Sequence, residues 1–262
     1  MASMGIMSAL WVVIFLLTAI SKVSKAAVPQ FDPSMTRAQR QMVKEAFLDA
    51  LTLVRTAALT FACDNDMYFG RYFDTSDGTF VRQMLQTVAA VDPNFDQGNP
   101  SRDTISQFLS NLRPDQLNAD FAGLSISYGD NPGRPVHDDP GKSTKCGPFG
   151  LWGHLTFDPD QPENAWMSIC PDTFDVFYSI RTMLNPPNAL RNEPGMATTG
   201  FGDTETDYLE TPGITVLHEL MHWPYLFRNV PNYAMKIRLD PDNYPQILDH
   251  TSNTEPKDGY GA

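Results

Sequence analysis

The chain reads as an α+β fold, with helices first, a small sheet next, and the helix that carries the candidate site embedded after it. Three observations predict this. Apolar residues recur at helical spacing through the N-terminal part, alternating segments occupy the middle, and a short capped helix near the far end carries Leu217-His218-Glu219-Leu220-Met221-His222. No internal repeat, charge block or domain boundary interrupts the sequence.

Residues 1–26 read as a secretory signal peptide. The apolar run Ala9 to Ile20 falls short of the ~20 residues a membrane-spanning helix needs, and Ser24-x-Ala26 is a small-residue cleavage signal, placing the cut after Ala26. Because Met1 to Ser8 carries no Lys or Arg, a signal anchor is the alternative. No other apolar run approaches spanning length. Residues 27–262 therefore read as one secreted, extracellular domain with no stable membrane association once the signal is removed, and long enough to bury one sizeable core.

From Ser34 to Phe61, Ala46, Phe47, Ala50, Leu51, Val54, Ala57 and Ala58 recur at helical spacing, with Ser34 as the cap. A shorter helix, Thr79 to Val91, buries Phe80, Val81, Met84, Leu85 and Val88 and ends at Asp92-Pro93. A third is expected between Asp103 and Leu112. Strand spacing then takes over: Leu124, Ile126 and Tyr128 share one side of Phe121 to Tyr128. Leu151 to Phe157 and Ala165 to Cys170 read as two further strands around the turn-rich link Asp158-Pro159-Asp160-Gln161-Pro162. Gly129 to Pro148 and Asn185 to Pro212 read as long loops, and the second delivers the chain into the histidine helix. In that helix Thr211 takes the N-cap and Pro212 the first position, while Ile214, Val216, Leu217, Leu220 and Met221 supply the buried surface. Pro224 disfavours helical geometry at Trp223, so the helix stops just past His222.

The formal net charge of −12 argues against a nucleic-acid partner, which needs clustered Lys and Arg. It is compatible with neutral or basic substrates and with solubility in an extracellular medium. Of the three cysteines, Cys146 and Cys170 flank the expected hairpin and are paired, which leaves Cys63 over. No Asn-x-Ser/Thr sequon with x other than Pro is present, so N-glycosylation is not expected.

His218 and His222 lie four apart, one helical turn, so both imidazoles reach a single ion, and neutral imidazole is a good zinc ligand. Glu219 projects beside them as a general base for a water activated by Zn²⁺. The expected chemistry is metal-assisted peptide hydrolysis. A third ligand is required. Tyr225 and Arg228 stand where the extended histidine motif needs Gly and His, and Glu255, the one Glu after Glu219, sits in a polar tract beside Pro256. Asp and His remain: Asp240, Asp242, Asp249, His250 and Asp258.

Taken together, His218-Glu219-Leu220-Met221-His222, the segment Gln246-Ile247-Leu248-Asp249-His250 and the terminal Asp258-Gly259-Tyr260-Gly261-Ala262 resemble the deuterolysin-like fungal metallopeptidases, the aspzincins. Tyr72-Phe73 and Trp166 to Pro171 extend the likeness backward. The resemblance implies a zincin-like catalytic domain acting as a monomer on protein or peptide substrates, with an Asp as third zinc ligand and a tyrosine donating to the developing oxyanion. Tyr260 takes that last role. Asp249 is preferred as ligand because it follows the apolar Ile247-Leu248 pair, and Asp258 is the alternative. The family's Gly-Thr pair is missing, and Asp258 precedes Tyr260 by two residues where the family has three. Relatives continue beyond the Tyr-Gly into a further helix, so a truncated C-terminus is expected. The alternative functions on the same fold are a non-catalytic zinc-binding protein, since some relatives carry Arg where Glu219 stands, and a surface antigen.

Overall fold

The structure, a computed structural model, describes residues 28–60, 74–91, 116–130, 146, 151–180, 182, 211–237 and 247. The expected signal peptide, the helix between Asp103 and Leu112, and Cys63 lie outside the described residues. Within them the fold mixes helices with one four-stranded sheet. Strand β1 (Gln30–Phe31) is followed by helices α1 (Arg37–Thr60) and α2 (Gly78–Ala89), then by β2 (Leu124–Tyr128), β3 (Gly153–Asp158) and β4 (Gln161–Ile169). The described residues also include three shorter α-helices, α3 (Pro171–Val176), α4 (Pro212–Met221) and α5 (Tyr233–Lys236).

Helix α1 starts later than its spacing predicts. Thr36 Oγ1 accepts from the Gln39 N–H at 3.2 Å and Gln39 Oε1 accepts from the Thr36 N–H at 2.9 Å, a reciprocal capping box. Ser34 instead closes a local turn on Asp32 Oδ1, donating from both its N–H (2.7 Å) and its hydroxyl (2.6 Å). Helix α2 matches its spacing to within two residues and ends on Ala90 in the left-handed region, φ 56°.

The sheet order is β1-β2-β4-β3; β1, β2 and β4 are parallel, and β3 pairs antiparallel with β4. The β3–β4 hairpin turns more tightly than the sequence predicts, because Gln161 already pairs with Asp158. Pro162 therefore sits inside β4. It is tolerated there because β2 begins pairing only at Ala165, so no ladder N–H is missed.

Alternation divides the sheet into two faces. Leu124, Ile126, Ala165, Met167 and Ile169 are all buried on one, and α1 and α4 pack over that side. Phe47 of α1 meets Phe121 edge to face at 5.3 Å. The opposite face carries Ser125, Ser127, His154, Thr156 and Ser168, and buried Ser127 and Ser168 lie 3.3 Å apart through their hydroxyls. Fully buried Arg55 ties α1 to two other parts of the chain, donating to the carbonyls of Ala89 (3.4 Å) and Gln116 (2.9 Å). Those bonds offset the cost of removing a guanidinium from water.

Asp49 joins α1 to the segment after α3, accepting the Ile180 N–H at 2.9 Å through Oδ2. Burial raises its carboxyl above the ordinary 3.8, the Ile180 bond opposes this, and the charge of Glu45 adds to the rise. The folded chain thus keeps this proton at pH values where the unfolded chain has lost it. Stability falls as pH climbs from the ordinary value through the raised one, and the loss is complete above it. Asp49→Asn removes this titration. In urea unfolding at a series of weakly acidic pH values, the variant should gain on the wild type as pH rises; parallel curves would rule Asp49 out as the source.

Candidate metal centre

Helix α4 begins where the sequence predicts. Thr211 stands at the N-cap with extended backbone and Pro212 fills the first position, yet the threonine hydroxyl caps nothing and is buried without a hydrogen-bond partner. Val216, Leu220 and Met221 are buried as expected, whereas Ile214 points outward at 42% exposure. The inward position next to it is Gly213. A Cβ there would come within 2.7 Å of the Ala50 nitrogen and of Asp49 Cβ, so the α4 backbone lies directly against the α1 backbone at this point.

The last helical residue is Met221, and His222 forms the C-cap. Trp223 then turns extended (φ −95°, ψ 95°) ahead of Pro224, the restriction a proline imposes on the residue before it. Trp223 is fully buried and donates from Nε1 to the Pro162 carbonyl at 2.8 Å, which fixes the end of α4 against β4.

The two imidazoles converge. Their Nε2 atoms are 3.1 Å apart and the rings stand at 75° to each other. His222 Nδ1 lies 2.6 Å from the Ile247 carbonyl oxygen, which can only accept, so Nδ1 carries the ring proton and Nε2 of the neutral ring presents a lone pair. A tetrahedral ion bound at ~2.05 Å from each nitrogen would subtend about 100° at this separation, close to the tetrahedral angle. The pair therefore fits zinc.

Glu219 is buried at 5% exposure against the first residue of β3. A Cβ on Gly153 would lie 3.2 Å from Glu219 Oε1 and 2.9 Å from Thr215 Cγ2, so the absence of a side chain at Gly153 makes room for the carboxylate. Among the described residues, the one group of three His, Cys, Asp or Glu ligand atoms within 4.8 Å of one another is Asp130, Cys146 and His154. Glu219 does not form such a group with His218 and His222.

The remaining sequence-predicted residues, Asp249, Asp258 and Tyr260, lie outside the described residues. Arg228, at the position where the extended motif needs histidine, has a structural use. Its guanidinium bonds both carboxylate oxygens of Asp120 (2.6 and 3.0 Å), which raises its pKa, and lies 3.7 Å over the Tyr225 ring. The clamp fixes the chain after α4 to the turn preceding β2. Two features escaped the sequence reading. The glycines seating α4 carry no local signal, because the need for them arises from a distant neighbour. The Asp130–His154 pair, Oδ1 to Nε2 2.8 Å, joins residues 24 apart in sequence.

Cys146 and Cys170 form the expected disulfide. No described helix is long and apolar enough to cross a membrane. No family model, curated protein or solved structure matches the chain.

Proposed function

We propose that the chain is a secreted zinc-dependent endopeptidase with a zincin-like, aspartate-completed site. The observation that carries this reading is the pair of Nε2 atoms 3.1 Å apart on one helical turn, with buried Glu219 between their positions in sequence. His218 and His222 hold Zn²⁺. Asp249 is the third ligand: Ile247 bonds His222, and two residues of chain span at most about 7 Å. Asp258 is the alternative.

Bound zinc supplies a Lewis acid that polarises the scissile carbonyl and acidifies a water. Glu219 takes the proton of that water as it attacks and passes it to the departing amine. Tyr260 donates a hydrogen bond to the oxyanion. Among the described residues β3 is an edge strand beginning beside Glu219, so an extended peptide that adds to this edge lays its backbone along the carboxylate.

The test is metal analysis combined with casein hydrolysis before and after chelation. One zinc per chain, with hydrolysis lost on chelation and restored by Zn²⁺, is the expected result. Stoichiometric zinc without hydrolysis would make the chain a zinc binder, and absence of zinc would overturn both readings.

A further inference from the structure

A second set of ligand atoms gathers where three strands end, on elements separate from the histidine turn. Asp130 lies two residues past β2, His154 is the second residue of β3, and Cys170 directly follows β4. These ends are held in register: the Gly129 N–H donates to the Ile169 carbonyl at 2.7 Å, and the Cys170 N–H to the Trp152 carbonyl at 2.8 Å. Asp130 links the other groups, with Oδ1 2.8 Å from His154 Nε2 and Oδ2 accepting the Cys146 N–H at 3.0 Å. One ligand atom each from Asp130, Cys146 and His154 lie within 4.8 Å of one another, and Cys146 is bonded to Cys170. The Asp130 and His154 side chains are 12% and 13% exposed, a partly dry corner in which a charge-compensated ion is held more firmly than at the surface.

The disulfide withholds two donors from this corner. A disulfide sulfur is uncharged and ligates poorly, whereas a thiolate is among the best ligands for zinc. We propose that the corner is a redox-gated site for a zinc-class divalent cation, formed by Cys146, Cys170, His154 and Asp130 when a dithiol reductant opens the disulfide. Cys146 is the more exposed partner, since Cys170 is buried at 1%, so the reductant's thiolate attacks Cys146 Sγ and Cys170 leaves as thiolate. The reductant's second thiol then displaces Cys146 and closes the reductant's own disulfide. Two electrons and two protons pass to the cysteines, and cation binding releases those two protons. The sulfurs move apart to about 3.8 Å, the edge of a tetrahedral zinc–sulfur site, while the strand ends keep His154 and Asp130 in place. One Asp130 oxygen ligates and the other keeps the Cys146 N–H, orienting the ligand. Reoxidation rebuilds the disulfide and expels the ion.

The test uses the full chain carrying Cys63→Ser, so that two thiols report, with Co²⁺ as probe. After reduction by a phosphine without oxygen, thiolate-to-cobalt charge-transfer absorption of two-thiolate intensity should appear, with none in the oxidised chain. In the chain that also carries His218→Ala and His222→Ala, zinc should bleach it at one equivalent. Asp130→Ala and His154→Ala should each weaken zinc binding at least about tenfold, since even outer-shell partners are worth that much. His218→Ala with His222→Ala should leave the absorption unchanged, so the outcome does not depend on the peptidase reading. Should the reduced chain lose its near-UV circular dichroism, one equivalent of zinc should restore it. Absence of both the absorption and this recovery would overturn the proposal, as would absorption and zinc affinity that the Asp130→Ala/His154→Ala double variant leaves unaltered.

Discussion

Glu219→Gln is expected to lower kcat for peptide hydrolysis about 10²–10⁴-fold, the usual worth of a positioned general base, while zinc content stays at the wild-type level. Glutamine keeps the shape of the side chain in its niche beside Gly153 but cannot accept the proton. Its effect on KM should be small, because the proton moves only in the transition state. Glutamine is nearly isosteric with glutamate, and urea unfolding of the variant separates a loss of catalysis from a loss of fold. Single-turnover hydrolysis and metal analysis on the same preparation check it. Undiminished turnover would remove Glu219 from the mechanism, and loss of zinc would make it a ligand.

Gly213→Ala is expected to destabilise the chain by about 1–3 kcal/mol, the range for overpacking a tight contact. The opposing effect is helix propensity, which favours alanine over glycine by at most ~1 kcal/mol in a helix interior and by less in the first turn. At Gly213 the clash wins. The added carbon would sit 2.7 Å from the Ala50 nitrogen, a backbone atom that cannot rotate aside. Helix α4 must then lift off α1, carrying both histidines with it, so the urea midpoint and zinc affinity should fall together. Ile214→Ala is the control, because that side chain is 42% exposed in the same turn and should shift the midpoint little. Equal stability for Gly213→Ala and wild type would show that the α1–α4 seam has slack.

The parts of this fold that were legible in the sequence are those with a local cause. Thr211-Pro212 and Pro224 bracket α4 because capping position and proline geometry act within a residue or two, and the ends of α2 follow from its apolar spacing. The Cys146–Cys170 pair was readable from its place around a hairpin. Ser34 was the wrong cap because Asp32 competes for it and Thr36 with Gln39 supplies the reciprocal bonds, a choice among neighbouring polar residues that periodicity does not resolve. Pro162 reads as a turn residue until the partner strand is known to start later. At the site, the spacing of His218 and His222 implies their convergence. That Gly153 must be small for Glu219, or that Asp130 meets His154, depends on which strand ends adjoin, and no spacing carries that.

The Ile247 carbonyl that receives the His222 Nδ1 proton makes one imidazole common to two bonds, one to Ile247 at Nδ1 and, in the proposed zinc site, one to the ion at Nε2. Coordination at Nε2 withdraws charge from the ring and makes Nδ1–H a better donor; donation from Nδ1 in turn makes Nε2 more basic. Thermodynamic reciprocity requires the two effects to be equal in free energy. If His222 holds zinc as proposed, a change that breaks the Ile247 bond weakens the hold on the ion by the same factor by which removing the ion weakens that bond.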